Sequence, residues 1–198
     1  MSLATYEQHD GLGLAELVRR KEVSPAELLE AAITRAEKHN PKLNAIVHKA
    51  YDLARAEAAK GSLPAGPFQG VPFLIKDLGL EVAGMNRTDG TFFKDDAPDA
   101  HDALLTKRFR QAGVVIFGKT NTPEFGITGT TESARLKPCR NPWNTEHITG
   151  GSSSATHTSS SRLARPTTVT SVTPSSAITR WAAATWGAPP STTTSCGG

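Results

Sequence analysis

Residues 70–78 read GVPFLIKDL, an apolar run that ends on a lysine and an aspartate. Val71, Phe73, Leu74 and Ile75 form a short hydrophobic segment, with Gly70 and Pro72 before it and Gly79 after it. A run of that length between chain breakers predicts a buried strand of an α/β sheet. Lys76 then falls at the strand's carboxyl end, where open α/β sheets place their ligands and chemistry. A lysine there either snorkels to solvent or is held among polar partners. Held and partly desolvated, it loses affinity for its proton and can serve as a base.

Working outward, Val114–Phe117 is a second fully apolar run and leads into Gly118-Lys119-Thr120-Asn121. Between the two runs, Asp99 or His101-Asp102 opens a helix with Leu104, Leu105 and Phe109 on one face, and Gly113 closes it. Strand, helix, strand in this order predicts a right-handed crossover in a largely parallel sheet. The polar stretch 84–99 is long for a connection, which favours a functional loop over a linker. Thr122-Pro123-Glu124 begins a short helix or turn, and the chain is loop-like from there to Gly151, with Asn141-Pro142-Trp143 a rigid turn.

Toward the N-terminus, Leu14, Leu17 and Val18 predict a helix over 12–18. Ser24-Pro25-Ala26-Glu27 is a helix start on three counts: a capping serine, a proline at the first helical position and a glutamate that closes a capping box. Leu28, Leu29, Ala32, Ile33 and Ala36 follow as one apolar stripe, expected to stop before Asn40-Pro41. A strand or extended segment over 43–47 and a helix over 50–60 complete a helical layer of about residues 5–62, with the sheet core from about residue 66.

The formal charge of +3 comes from 22 Lys+Arg against 19 Asp+Glu. No acidic residue follows Glu146, whereas Arg162, Arg165 and Arg180 do, so the excess lies in the C-terminal stretch and the rest of the chain is neutral. Three arginines without interleaved aromatics are a weak nucleic-acid footprint. Two cysteines far apart and six histidines without ligand spacing predict no disulfide framework, metal or cofactor. Neither a leader nor an apolar run of membrane-spanning length is read, so the expected location is the cytoplasm.

Gly150-Gly151-Ser152-Ser153-Ser154 is a second candidate site, since glycines allow close backbone approach and hydroxyls relay protons; alone, it reads as a linker. Residues 152–198 differ from the rest. Serine and threonine make up 22 of these 47 residues and acids are absent, so little apolar surface opposes the entropy of ordering.

Taken together, GVPFLIKDL (70–78), DALLTKRFRQAGVVIFGKTNTPEFG (102–126), TTESARLKPCRNPW (130–143) and TGGSS (149–153) resemble the amidase signature family in order and spacing. The segment 22–47, EVSPAELLEAAITRAEKHNPKLNAIV, is similar to that family's leading helices. Within that family, KDL (76–78), GKTNTPEFG (118–126) and TTE (130–132) are similar to bacterial amidases of the 6-aminohexanoate cyclic-dimer hydrolase type. The resemblance implies an α/β fold: residues 1–153 form the N-terminal part of the amidase signature fold, a mixed, largely parallel sheet flanked by helices. It implies hydrolysis of a small-molecule carboxamide by a Ser-Ser-Lys triad without cofactor, with Lys76 as the basic lysine and Ser152 as the bridging serine. A homodimer stays open, and neither nucleic acid nor membrane is expected as a partner. A glutamine-hydrolysing amidotransferase subunit, or a non-catalytic amidase-like binding protein, is the alternative.

Beyond Ser153 the resemblance fails. The family continues with further glycines, a small-residue helix and a GGSxR nucleophile loop, and none follows here. Ser175 and Ser176 have about the family's spacing, but in the context TPSSAITR. Text rich in Ser, Thr, Ala, Pro and Arg without acids is what GC-rich coding DNA yields out of frame. Residues 154–198 are therefore expected to be an irregular or disordered tail of out-of-frame origin, and this chain a truncated, inactive fragment.

Overall fold

The structure is a computed structural model and describes residues 6–151. Helix α1 spans Gly11–Arg19, capped by Asp10, whose carboxylate accepts the Gly13 N–H at 2.7 Å. Helix α2 spans Pro25–Leu43 and starts with the expected capping box. Ser24 Oγ accepts the Glu27 N–H at 3.2 Å, and the Glu27 carboxylate accepts the Ser24 N–H at 2.8 Å. Two orphan donors of the first turn are thereby satisfied.

The helix does not stop before Asn40-Pro41 as the sequence suggested. It runs through Pro41 and ends at Asn44, which adopts φ 51° and returns its N–H to the Asn40 carbonyl. Two side chains support this ending. Asn40 bonds both backbone groups of Ile46, and Asn44 Nδ2 donates to the Leu136 carbonyl at 2.7 Å. These contacts stabilise a last turn that tolerates a proline near its end.

Strand β1 (Ile46–Lys49) and helix α3 (Tyr51–Ala59) follow. Strand β2 is Pro72–Lys76, so Lys76 is its last residue, as expected. Helix α4 (Leu104–Gln111) starts later than the acidic residues before it predicted, and its N-cap, Ala103, makes no side-chain bond. The would-be caps are engaged elsewhere: the Asp102 carboxylate accepts the Ala83 N–H at 2.8 Å and pairs with Arg110, while Asp99 accepts the Val82 N–H. Gly113 ends the helix at φ 93°, where a Cβ would lie 2.7 Å from Gln69 Cα. Strand β3 spans Val115–Thr120 and leads to a single 3₁₀ turn at Glu124–Gly126.

The described strands form one mixed sheet in the order β1-β3-β2. β2 runs parallel to β3, with Ile75 opposite Lys119 and Lys76 opposite Thr120. β1 pairs with β3 antiparallel. The middle strand is buried along its whole length, which explains its continuous apolar reading. One cluster, built on Leu28, Leu29, Ile33 and Val115, joins the helices to the sheet, and a second gathers Ile75, Val82, Met85, Val114 and Ile116.

Leu29 has no accessible surface, whereas Leu53 on α3 is 48% exposed. Leu29→Ala is expected to cost about 2–5 kcal/mol through lost burial and a residual cavity, and Leu53→Ala under about 0.5 kcal/mol. Urea unfolding followed by circular dichroism checks the contrast; equal losses would refute this placement of the core.

Candidate active site

Lys76 ends β2 half-buried. Burial pulls its ammonium below the ordinary lysine range, and among the described residues it has neither a hydrogen bond nor an ion pair. The next two residues are fixed tightly. The Asp77 N–H donates to the Thr120 carbonyl at 3.1 Å, which extends the β2–β3 ladder past the strand. The Asp77 carboxylate, 1% exposed, accepts both the Thr88 N–H at 3.0 Å and the Thr88 hydroxyl. Leu78 lies where a side chain on Gly126 would stand, with its Cδ2 2.6 Å from an ideal Cβ. Gly126 also has φ 69°, so the backbone favours glycine there and any side chain would displace the Leu78 tip.

The long connection after Lys76 is tied down along its length. Asp89 accepts the Gly79 N–H at 2.8 Å and pairs with Lys94 at 3.0 Å. Its own carbonyl accepts the Phe125 N–H at 2.8 Å, which links the connection to the turn after β3. Asp89 and Phe125 both sit at positive φ, 50° and 49°, a strained conformation for side-chain-bearing residues. Arg135 donates to the carbonyls of Thr91 and Lys94 and pairs with Asp96. The stretch whose length favoured a functional loop is thus a cross-linked one.

Lys119 was not read from the sequence as a site residue. It has no accessible surface, and its Nζ donates to the Leu80 carbonyl and to Asp99 Oδ2, both at 3.3 Å. Burial draws the Lys119 ammonium down, opposed by the nearby Asp77 and Asp99 charges. Burial pushes the Asp77 carboxyl up, opposed by the two Thr88 bonds and by Lys119. The signal was present in GKTN, a lysine directly continuing a wholly apolar strand, but a strand-end lysine reads as exposed unless its partners are known.

The glycine pair of the second candidate site is held from one side. The Gly151 N–H donates to the Gly129 carbonyl at 2.7 Å, and Thr130 bridges Gly150. The buried Thr131 directs its hydroxyl to the Gly150 carbonyl at 3.3 Å. A Cβ on Gly151 would meet the Gly129 carbonyl carbon at 3.1 Å, so the chain passes too closely there for a side chain without adjustment. Buried Cys139 links the two segments: its N–H donates to the Thr131 carbonyl, and its carbonyl accepts the Thr149 N–H. Ser152, the proposed bridging serine, lies outside the described residues, as do Ser175, Ser176 and all of 154–198.

The chain is similar to known proteins in sequence and in fold. The amidase family model matches residues 27–156. The 6-aminohexanoate-cyclic-dimer hydrolase of Paenarthrobacter ureafaciens is 44% identical over 146 residues, covering 73% of this chain and 29% of that protein. A putative amidase, AmiC, of Mycobacterium tuberculosis is 42% identical over 145 residues, covering 73% and 30%. Among solved structures, 6-aminohexanoate cyclic dimer hydrolase complexed with substrate superposes with TM-score 0.70 at 40% identity, covering 76% of this chain and 32% of that one. The chain spans about 30% of the length of the curated relatives it matches. On the family match and the shared fold, the chain belongs to the amidase signature family.

Proposed function

We propose that this chain carries the lysine side of an amidase site that hydrolyses small-molecule carboxamides, linear or cyclic, through a Ser-Ser-Lys triad. The observation that carries the reading is Lys76: a half-buried lysine at the carboxyl end of a parallel strand, its ammonium drawn below the ordinary range and unpaired among the described residues. A lysine with a carboxylate against it would be held protonated; burial without one moves Lys76 toward the neutral form that a base needs.

In this reading, neutral Lys76 takes the proton of the Ser152 hydroxyl as Ser152 takes that of the nucleophilic serine. The nucleophile attacks the amide carbon, and the proton returned along the same relay leaves with the amine. Water then attacks the acyl-enzyme, giving the free acid and the original serine. Gly151, the residue before Ser152, runs against the segment 129–130, where a Cβ would come within 3.1 Å of the Gly129 carbonyl carbon. The sequence after Ser153 lacks the family's nucleophile loop, so residues 154–198 are taken as out-of-frame text and the chain by itself as inactive.

A chimera supplies the missing partner groups. Residues 6–151 replace the matching segment of the Paenarthrobacter hydrolase, and turnover of 6-aminohexanoate cyclic dimer is measured. The chimera is expected to be active, and Lys76→Ala within it to lower kcat by about a thousandfold or more with the fold retained. Near-normal turnover of the Lys76→Ala chimera would rule out the base, and a folded but inert parent chimera would rule out a competent lysine site.

A stability measurement on the chain itself follows from the same burial. The folded state lowers the Lys76 proton affinity, so folding opposes the charged form. That opposition is full below the folded-state titration and fades as pH rises toward the value of a solvated lysine. Lys76→Met should therefore stabilise the chain at pH 7, and the gain should shrink as pH approaches that of free lysine. Denaturant unfolding across that range checks the sign; a variant destabilised at pH 7 would contradict it.

A further inference from the structure

We propose that Lys119 is a positioning residue for Lys76: buried in β3, it grips the Leu80 carbonyl and Asp99, and so anchors both ends of the connection that leaves the sheet one residue after Lys76. The inference rests on Lys76 being the base. The geometry is specific. Lys119 stands opposite Ile75 in the parallel ladder, one rung before Lys76 meets Thr120. Leu80 and Asp99 are 19 residues apart in the chain, yet one ammonium holds both.

Asp99 carries the anchorage further. Its carboxylate also accepts the Val82 N–H at 3.1 Å, its N–H donates to the Met85 carbonyl, and its carbonyl accepts the Gly84 N–H. The start of the connection is thereby folded back on its end, and Thr88 is brought to the Asp77 carboxylate. With residues 77–80 immobilised, the backbone that carries Lys76 is held in place at the strand end. An apolar residue in the Lys119 position would fill the same space and pack on Ile75 and Ile116, but would leave the Leu80 carbonyl and Asp99 without their donor. This is the physical reason for tolerating an ammonium with no accessible surface in the middle strand.

The test uses the full chain and two variants. Lys119→Met keeps the length of the side chain and removes its donor. Lys119→Met with Asp99→Asn removes both charges, so that folding does not have to bury an unpaired carboxylate. Amide hydrogen exchange is read over residues 79–99 and over α2, β2 and β3, and the Lys76 side chain is titrated by NMR.

In the double variant, and in the single one if it folds, exchange of the Gly79, Val82, Gly84 and Thr88 amides should rise about tenfold or more. The sheet and α2 should keep their protection, and the Lys76 midpoint should move up toward that of a solvated lysine. Unchanged protection of the connection would overturn the inference. So would loss of protection throughout the double variant, or a loosened connection with the Lys76 midpoint unmoved, since Lys119 would then be a packing element only. A wild-type Lys76 that already titrates as a solvated lysine would overturn the base reading and this inference together. A low wild-type midpoint retained in both variants would overturn this inference alone.

Discussion

A lysine with no accessible surface is the constraint to which much of this molecule is fitted. Lys119 follows Val115, Ile116, Phe117 and Gly118 in a strand buried along its full length, and its ammonium has to be solvated by the protein. An unpaired charge in such a place is untenable, and a pair alone repays desolvation poorly. The remedy is a carbonyl, a carboxylate and a second carboxylate nearby, those of Leu80, Asp99 and Asp77, all drawn from the connection after β2. The polar groups of that connection are thereby committed to inward contacts, which is why a stretch rich in Gly, Asn, Asp and Pro is held in one shape.

The consequence for chemistry lies at the carboxyl ends of β2 and β3. Two segments meet there, residues 77–99 and the turn at 121–126. They are linked by backbone bonds, by the strained pair Asp89 and Phe125, and by Leu78 in the space left by Gly126. Each link is local, yet together they fix the strand end that carries Lys76, while residues 129–131 separately hold the glycine pair that precedes Ser152. A triad of this kind depends on placing weak acids and bases within hydrogen-bond reach, so a rigid frame is as necessary as the groups themselves.

Much of this was legible in the sequence, for identifiable reasons. The apolar runs around Ile75 and Val115 are continuous because their strands are covered on both faces, and Ser24-Pro25-Ala26-Glu27 encodes a helix start in local chemistry alone. Lys76 could be placed because a strand ends where its apolar run ends. What could not be read depends on partners distant in the chain. Helix α2 continues through Pro41 because Asn44 bonds to residues 136–138, and Asp102 fails to cap α4 because Ala83 and Arg110 claim it. Lys119 and Asp77 look like surface charges until the loop between them is folded back. The glycine pair at 150–151 reads as a linker in isolation, whereas in the fold Gly151 packs closely beside Gly129.

The central claim is that Lys76 and Ser152 are neighbours in one proton relay, Lys76 its basic end and Ser152 its bridge to the nucleophile, and a distance tests it most directly. A crystal structure of the active chimera extended to residues 6–152, so that Ser152 itself follows Gly151, would give the separation of Lys76 Nζ from Ser152 Oγ. The account predicts hydrogen-bond contact, about 2.6–3.2 Å. A serine turned away from the lysine, with its hydroxyl beyond the reach of even one bridging water, would contradict it.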